Sequence, residues 1–154
     1  MAKVDLFQSP GNGTFLFYDL DASVGKGGAN RRDDVLLVQY LIKISANVPG
    51  KFLAAVGGGP PQVAGVWGDF DDTMLGMVQS HWAERGTATF QDRRVDPVPQ
   101  HQVMTPIHHT QYKILTLNVI YASLRSADYP KMAEATDCPP DLKPKIRAPN
   151  WLGT

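Results

Sequence analysis

The sequence predicts a mainly α protein: a compact three-helix core with an N-terminal β-hairpin and an extended, proline-rich C-terminal tail. Three observations carry this reading. Apolar residues recur at helical spacing in three stretches, after Asp33-Asp34, after Asp71-Asp72 and after Thr105-Pro106. Two β-prone runs flank the turn-forming Ser9-Pro10-Gly11-Asn12-Gly13. Prolines 130, 139, 140, 144 and 149 punctuate the last stretch. A chain of 154 residues is long enough for one domain with a core of its own. The expected division is a single domain over residues 1–127 and a tail over 128–154, packed on the domain or flexible.

Each element follows in order. Val4-Asp5-Leu6-Phe7 and Phe15-Leu16-Phe17-Tyr18 form an irregular hairpin over about residues 4–20. In the first helix Asp33 or Asp34 meets the positive end of the helix dipole, and Val35, Val38, Leu41 and Ile42 make the buried stripe. It ends near Ser45-Ala46-Asn47, before Pro49-Gly50. Residues 49–64, with Gly57-Gly58-Gly59-Pro60-Pro61, read as a long surface loop of the kind that often carries function.

Gly65-Val66-Trp67-Gly68 then makes a tight aromatic turn. Asp71 or Asp72 caps the second helix, expected from about Asp72 to Arg85 with Gly86 as its C-cap. Met74, Leu75, Val78 and Trp82 share its apolar face. Val95-Asp96-Pro97-Val98-Pro99 is a stiff extended piece. Thr105-Pro106 starts a third helix with Ile107, Ile114, Leu117, Tyr121 and Leu124 on its apolar face, widened by Leu115, Val119 and Ile120; it should be the most buried of the three. The tail has at most one helical turn, near Met132-Ala133-Glu134, with Trp151 and Leu152 as anchors.

Several function classes are disfavoured. The 15 Lys and Arg balance 15 Asp and Glu, which argues against a general nucleic-acid binder. No run is long and apolar enough for a membrane span. The first residues are not followed by an apolar leader segment, so cytoplasmic synthesis without a signal peptide is expected. Delivery to the periplasm or cell envelope, or a place in a virion, then needs another route. The single cysteine, Cys138, reads as an ordinary thiol.

Ser23-Val24-Gly25-Lys26-Gly27-Gly28-Ala29-Asn30 suggests a phosphate loop but fails both patterns. Gly27 stands where the Walker loop needs Ser or Thr, and Asn30 where the dinucleotide loop needs glycine. It reads as a flexible turn. His108 and His109 point about 100° apart on a helix, and with His101 they form no metal-ligand spacing. No nucleophile elbow is present. The expectation is a non-enzymatic protein with no catalytic residues, metal or cofactor.

Two motifs stand in order: Asp34-Val35-x-x-Val38-Gln39-x-x-Ile42, then Gly65-x-Trp67-Gly68-x-x-Asp71-x-x-Met74-Leu75-x-x-Val78-Gln79. Together they resemble the peptidoglycan-binding-like domain, a three-helix module found beside cell-wall hydrolases. Trp67 takes the turn aromatic of that pattern, Asp71 its Thr cap, and Val78-Gln79 its closing Phe-Gln. Arg94-Val95-Asp96-Pro97 looks like the segment leading into the third helix. The likeness spans roughly residues 23–124, and departs from the family in the long loop after the first helix and in the stretch before the third.

The resemblance implies non-catalytic binding of peptidoglycan glycan or stem peptide, within a phage tail or lysis system or a contractile secretion machine. Sugar rings stack on aromatic faces and need directed hydrogen bonds from amides and carboxylates. Asn30, Gln39, Trp67, Asp69 and Gln79 are the candidate ligand-binding residues. Each has a local alternative: Gln39 and Gln79 as backbone holders, Trp67 as a pin. Asn30 and Asp69 are the most available to a partner. The competing reading is a structural or adaptor protein that grips a protein partner through loop 49–64 and tail 128–154.

Overall fold

The computed structural model describes residues 3–9, 13–46, 63–84, 92–98, 112–129 and 131–147. Strands β1 (Lys3–Ser9) and β2 (Gly13–Asp19) pair antiparallel, Lys3 opposite Asp19 and Ser9 opposite Gly13. Three helices follow: α1 (Arg32–Ala46), α2 (Asp69–Glu84) and α3 (Lys113–Leu124). A second antiparallel pair joins β3 (Val24–Gly25) to β4 (Arg94–Val95). The C-terminal stretch adds a 3-10 turn (Met132–Glu134) and a single turn, α4 (Lys143–Ile146). The described residues are mainly helical, as the periodicity predicts. Val38, Leu75, Val78 and Leu117 lie on three different helices and belong to one buried cluster.

The most enclosed helix is α1, not the third helix as expected. Residues 34–42 are buried without a break, well beyond the stripe the spacing defines. The reason is that α1 is covered from several sides: α3 packs along it, the turn before α2 meets Gln39, and the C-terminal stretch reaches Tyr40. On α3, by contrast, Ser123 is exposed and Leu124 retains 45% of its surface in solvent.

Two helix starts also differ. α2 begins at Asp69, three residues before the expected start, with Gly68 as its cap: the Gly68 carbonyl accepts the Asp72 N–H at 3.1 Å. Asp71 is therefore the third helical residue, and its carboxylate reaches back to the Gly68 N–H at 2.9 Å, the acidic half of a capping box. α3 begins at Lys113 behind an extended Tyr112. Thr105-Pro106, Ile107, Gly86 and the Trp82 side chain lie outside the described residues, as do loop residues 49–62 and the anchors Trp151 and Leu152.

A buried amide is among the ties that hold the hairpin to the body. Asn118 on α3 accepts the Tyr18 N–H at 2.8 Å and donates to the Tyr18 carbonyl at 2.9 Å, completing β2 as a neighbouring strand would. The Tyr18 hydroxyl in turn accepts the Met132 N–H at 2.8 Å. Asp34 supports the turn that follows, its two oxygens accepting the N–H groups of Asp21 and Ala22 at 3.0 and 3.2 Å.

The C-terminal stretch has two short helical turns where one was expected. Met132, Leu142 and Ile146 are completely buried within the same cluster as the three helices. Pro144 sits in the first turn of α4, where its missing N–H has no helical partner to lose. Arg125 clasps this stretch with a bidentate ion pair to Asp137, both distances 2.7 Å, and the Tyr40 hydroxyl donates to the same carboxylate at 2.7 Å. The Arg125 pairing holds the Asp137 carboxyl down at about 2, below the ordinary carboxylate range. A lowered folded-state value stabilises the fold above the ordinary range and loses that contribution as pH falls from about 4 to about 2. Thermal melts of Asp137→Asn are expected to show a shallower acid dependence than the native chain over that window. Parallel acid profiles would show that the clasp contributes nothing; the effect is moderated because both side chains are about one third exposed.

Candidate functional site

The turn before α2 concentrates the features of a recognition surface. Val66 is 74% exposed and Phe70 39%, two of the large apolar side chains that the described residues leave in solvent. Between them Trp67 is half-buried against the core, and Asp69 is exposed. Trp67 thus serves largely as a pin. Its indole Nε1 is buried and has no hydrogen-bond partner among the described residues.

This corner is rigid for reasons that begin in α1. Gln39 is 1% exposed and uses both ends of its amide. Its Oε1 accepts the N–H groups of Ala64 and Gly65 at 3.1 and 2.9 Å. Its Nε2 donates to the Val66 carbonyl at 2.9 Å and to Asp71 Oδ2 at 3.1 Å. The same Oδ2 accepts the Gly68 N–H. The corner and the first turn of α2 are thereby tied to α1 through a single buried node. Gly65 is required there: its φ is +79°, and a Cβ would meet the Arg32 side chain at 2.9 Å.

The other candidates are arranged around a second node. The Asn30 amide, expected to be available, is committed to its own turn. It accepts from the Gly25 N–H at 2.7 Å and donates to the Gly25 and Gly28 carbonyls at 3.1 and 3.2 Å. Asn30 itself has φ +50°, which asparagine tolerates better than most residues. The turn over 23–30 is consequently pinned rather than free. Gln79 is completely buried, accepts the Arg93 N–H at 2.9 Å, and donates at 3.4 Å to Asp92 and to the Arg94 carbonyl.

Arg93 carries φ +55° and links the two pieces, its carbonyl accepting the Lys26 N–H at 3.0 Å and its guanidinium pairing with Asp72 at 3.2 Å. The Arg93 carbonyl lies only 2.2 Å from where a Cβ on Gly25 would stand, so only glycine fits. Lys113, almost fully buried, pairs with Asp92 at 2.8 Å and keeps that carboxyl below its ordinary range despite the opposing effect of burial.

Gln39, Trp67 and Asp69 are therefore brought to one corner, while Asn30 and Gln79 organise a separate node. Sequence reasoning missed Val66 and Phe70. Val66 carried a signal, an aliphatic side chain inside a glycine-bracketed turn where no helical face can bury it. Phe70 stands four residues before Met74 and so reads as core, but the core ends one turn short of it.

Among the described residues no group of three or more His, Cys, Asp or Glu is placed to hold a metal, and His101, His108 and His109 lie outside them. Burial pushes the Cys138 thiol up to about 11, which suppresses its thiolate at neutral pH. No helix among the described residues is long and apolar enough to cross a membrane. Comparison with family models, with curated proteins and with solved structures gives no match to this chain.

Proposed function

We propose that this chain is a non-catalytic module that binds peptidoglycan, gripping glycan or stem peptide at the corner formed by residues 64–70. One observation carries the reading. The two motifs that resemble the peptidoglycan-binding-like family, separated by the long loop, meet in the Gln39–Asp71 node at 3.1 Å. Their co-occurrence then has a physical reason: the first motif supplies the amide that shapes the turn of the second. The surface so shaped offers Val66 and Phe70 for apolar contact, the exposed part of Trp67, and the Asp69 carboxylate as an acceptor for hydroxyl or amide donors. A place in a phage tail or lysis system, or in a contractile secretion machine, belongs to the same proposal.

The test is retention on purified peptidoglycan sacculi. The native chain is expected to co-sediment, and Val66→Ser/Phe70→Ser to lose at least about tenfold in retention, the loss expected from removing two apolar contacts. Val66 is 74% and Phe70 39% exposed, so the double variant is expected to stay folded with a modest loss of stability from the buried part of the Phe70 ring. Trp67→Ala is expected to lose retention too, with some loss of stability because the ring packs on the core. Absence of native retention would remove the wall-binding reading.

The competing reading is an adaptor in such an assembly. It is favoured by the aliphatic character of Val66, since a sugar ring gains more from an aromatic face than from a branched alkyl group. A stoichiometric protein partner released by the same double variant, together with no binding to sacculi, would establish it.

A further inference from the structure

We propose that Gln39 is a positioning residue for the recognition corner: it acts on the ligand by fixing the backbone of residues 64–68 and the Asp71 carboxylate, without touching the ligand. This rests on the reading of the corner as the binding surface, but its physical core is separate from that reading.

The argument is one of capacity. A glutamine amide has two donors and one acceptor oxygen with two lone pairs. In Gln39 both lone pairs are taken by Ala64 and Gly65, and the NH2 group is taken by Val66 and Asp71. Nothing remains to offer a ligand, and the side chain is buried. Three of the four bonds join consecutive residues of the turn, 64–66, to a helix that is itself buried on almost every side, and the fourth joins it to Asp71 on α2. Asp71 completes the lock by taking the Gly68 N–H. Glutamine is required because the node needs a donor and an acceptor at once. A carboxylate at position 39 would keep the bonds from Ala64 and Gly65 but lose both donated bonds, and would face Asp71 across about 3 Å, where two like charges disfavour joint ionisation.

The charged groups on the surrounding elements do not relieve that conflict. On α1, the Arg32 side chain lies against Gly65, but its guanidinium is already paired with Asp141 at 2.9 Å. On α2, Asp72 is paired with Arg93 and Asp69 is another acid. A Gln39→Glu variant should therefore hold the corner open near neutral pH and close it on acidification, when one proton is shared between the two carboxyl groups.

The experiment compares the native chain, Gln39→Glu and Gln39→Glu/Asp71→Asn by amide hydrogen exchange and by sacculus retention between pH 5 and 8. For Gln39→Glu at pH 7.5, the Gly65 and Gly68 amides are expected to exchange at least about tenfold faster than in the native chain, because repulsion between the two carboxylates and loss of the bond between positions 39 and 71 open the whole corner. Retention should fall by a similar factor, and both should recover towards pH 5. Asp71→Asn in the same background removes the like charge and restores a donor, so it is expected to rescue both measurements at pH 7.5. Should Gln39→Glu fail to fold, rescue of folding by Asp71→Asn becomes the readout.

Native exchange rates at Gly65 and Gly68 in Gln39→Glu, or a defect that neither acid nor Asp71→Asn reverses, would overturn the positioning role. If the native chain does not bind sacculi but the exchange pattern appears as expected, the proposed ligand fails while the role of Gln39 stands.

Discussion

A chain ending at Asp128 is expected to lose cooperative folding. The segment removed contributes Met132, Leu142 and Ile146, each fully buried, together with Ala133, Ala135 and Cys138. Burial of the three large side chains alone is worth about 5 to 9 kcal/mol at about 1.5 to 3 kcal/mol each. That rivals the whole stability of a typical domain, about 5 to 15 kcal/mol. The truncation also strips the Tyr18 hydroxyl of its Met132 donor and leaves Tyr40 and Arg125 without Asp137. Circular dichroism should show no sigmoidal melt for the shortened chain. A melt within a few degrees of the native one would mean that the last stretch is dispensable.

Replacing Asn118 by Leu is expected to cost about 3 to 5 kcal/mol, the range for breaking a buried hydrogen-bond network. The two side chains branch alike, but leucine is the larger, so lost polar partners and crowding act together. Tyr18 N–H and C=O lose their bonds, and Tyr129 loses an acceptor at 3.1 Å. Water cannot readily replace them, since Tyr18 and Asn118 are both completely buried. Asn118→Asp keeps the acceptor and loses the donor, and should fall between Leu and the native residue only where the carboxyl is protonated. Urea unfolding measures both changes. A cost below about 1 kcal/mol for Asn118→Leu would show that the hairpin is held mainly by apolar contact.

Both expectations concern features that the sequence reveals unevenly. Helical spacing and the Asn-Gly turn identify the three helices and the hairpin, because those signals depend on neighbours within one element. The enclosure of α1 is less legible. Tyr40 and Gln39 look like solvent-facing positions on a helical wheel, and they become interior only because the C-terminal stretch and the Trp67 corner arrive from elsewhere in the chain. The same limit governs the site. Gln39 and Gln79 are recognisable as amides placed for loop backbone, but their partners lie up to 32 residues away. Asn30 looked available because nothing in the sequence announces its positive φ. Val66 and Phe70 are hard to read from sequence because a glycine-bracketed turn signals its backbone shape and not what it leaves uncovered.

The docking of β2 bears on the order in which the chain can fold. An isolated two-stranded hairpin is marginal in water. Its closing partners, Asn118 and Met132, lie 100 and 114 residues further along. During synthesis the hairpin is made well before these partners and gains its final support only when they have followed, 100 and 114 residues later. Such long-range closure slows folding and leaves a nascent strand edge exposed while synthesis continues.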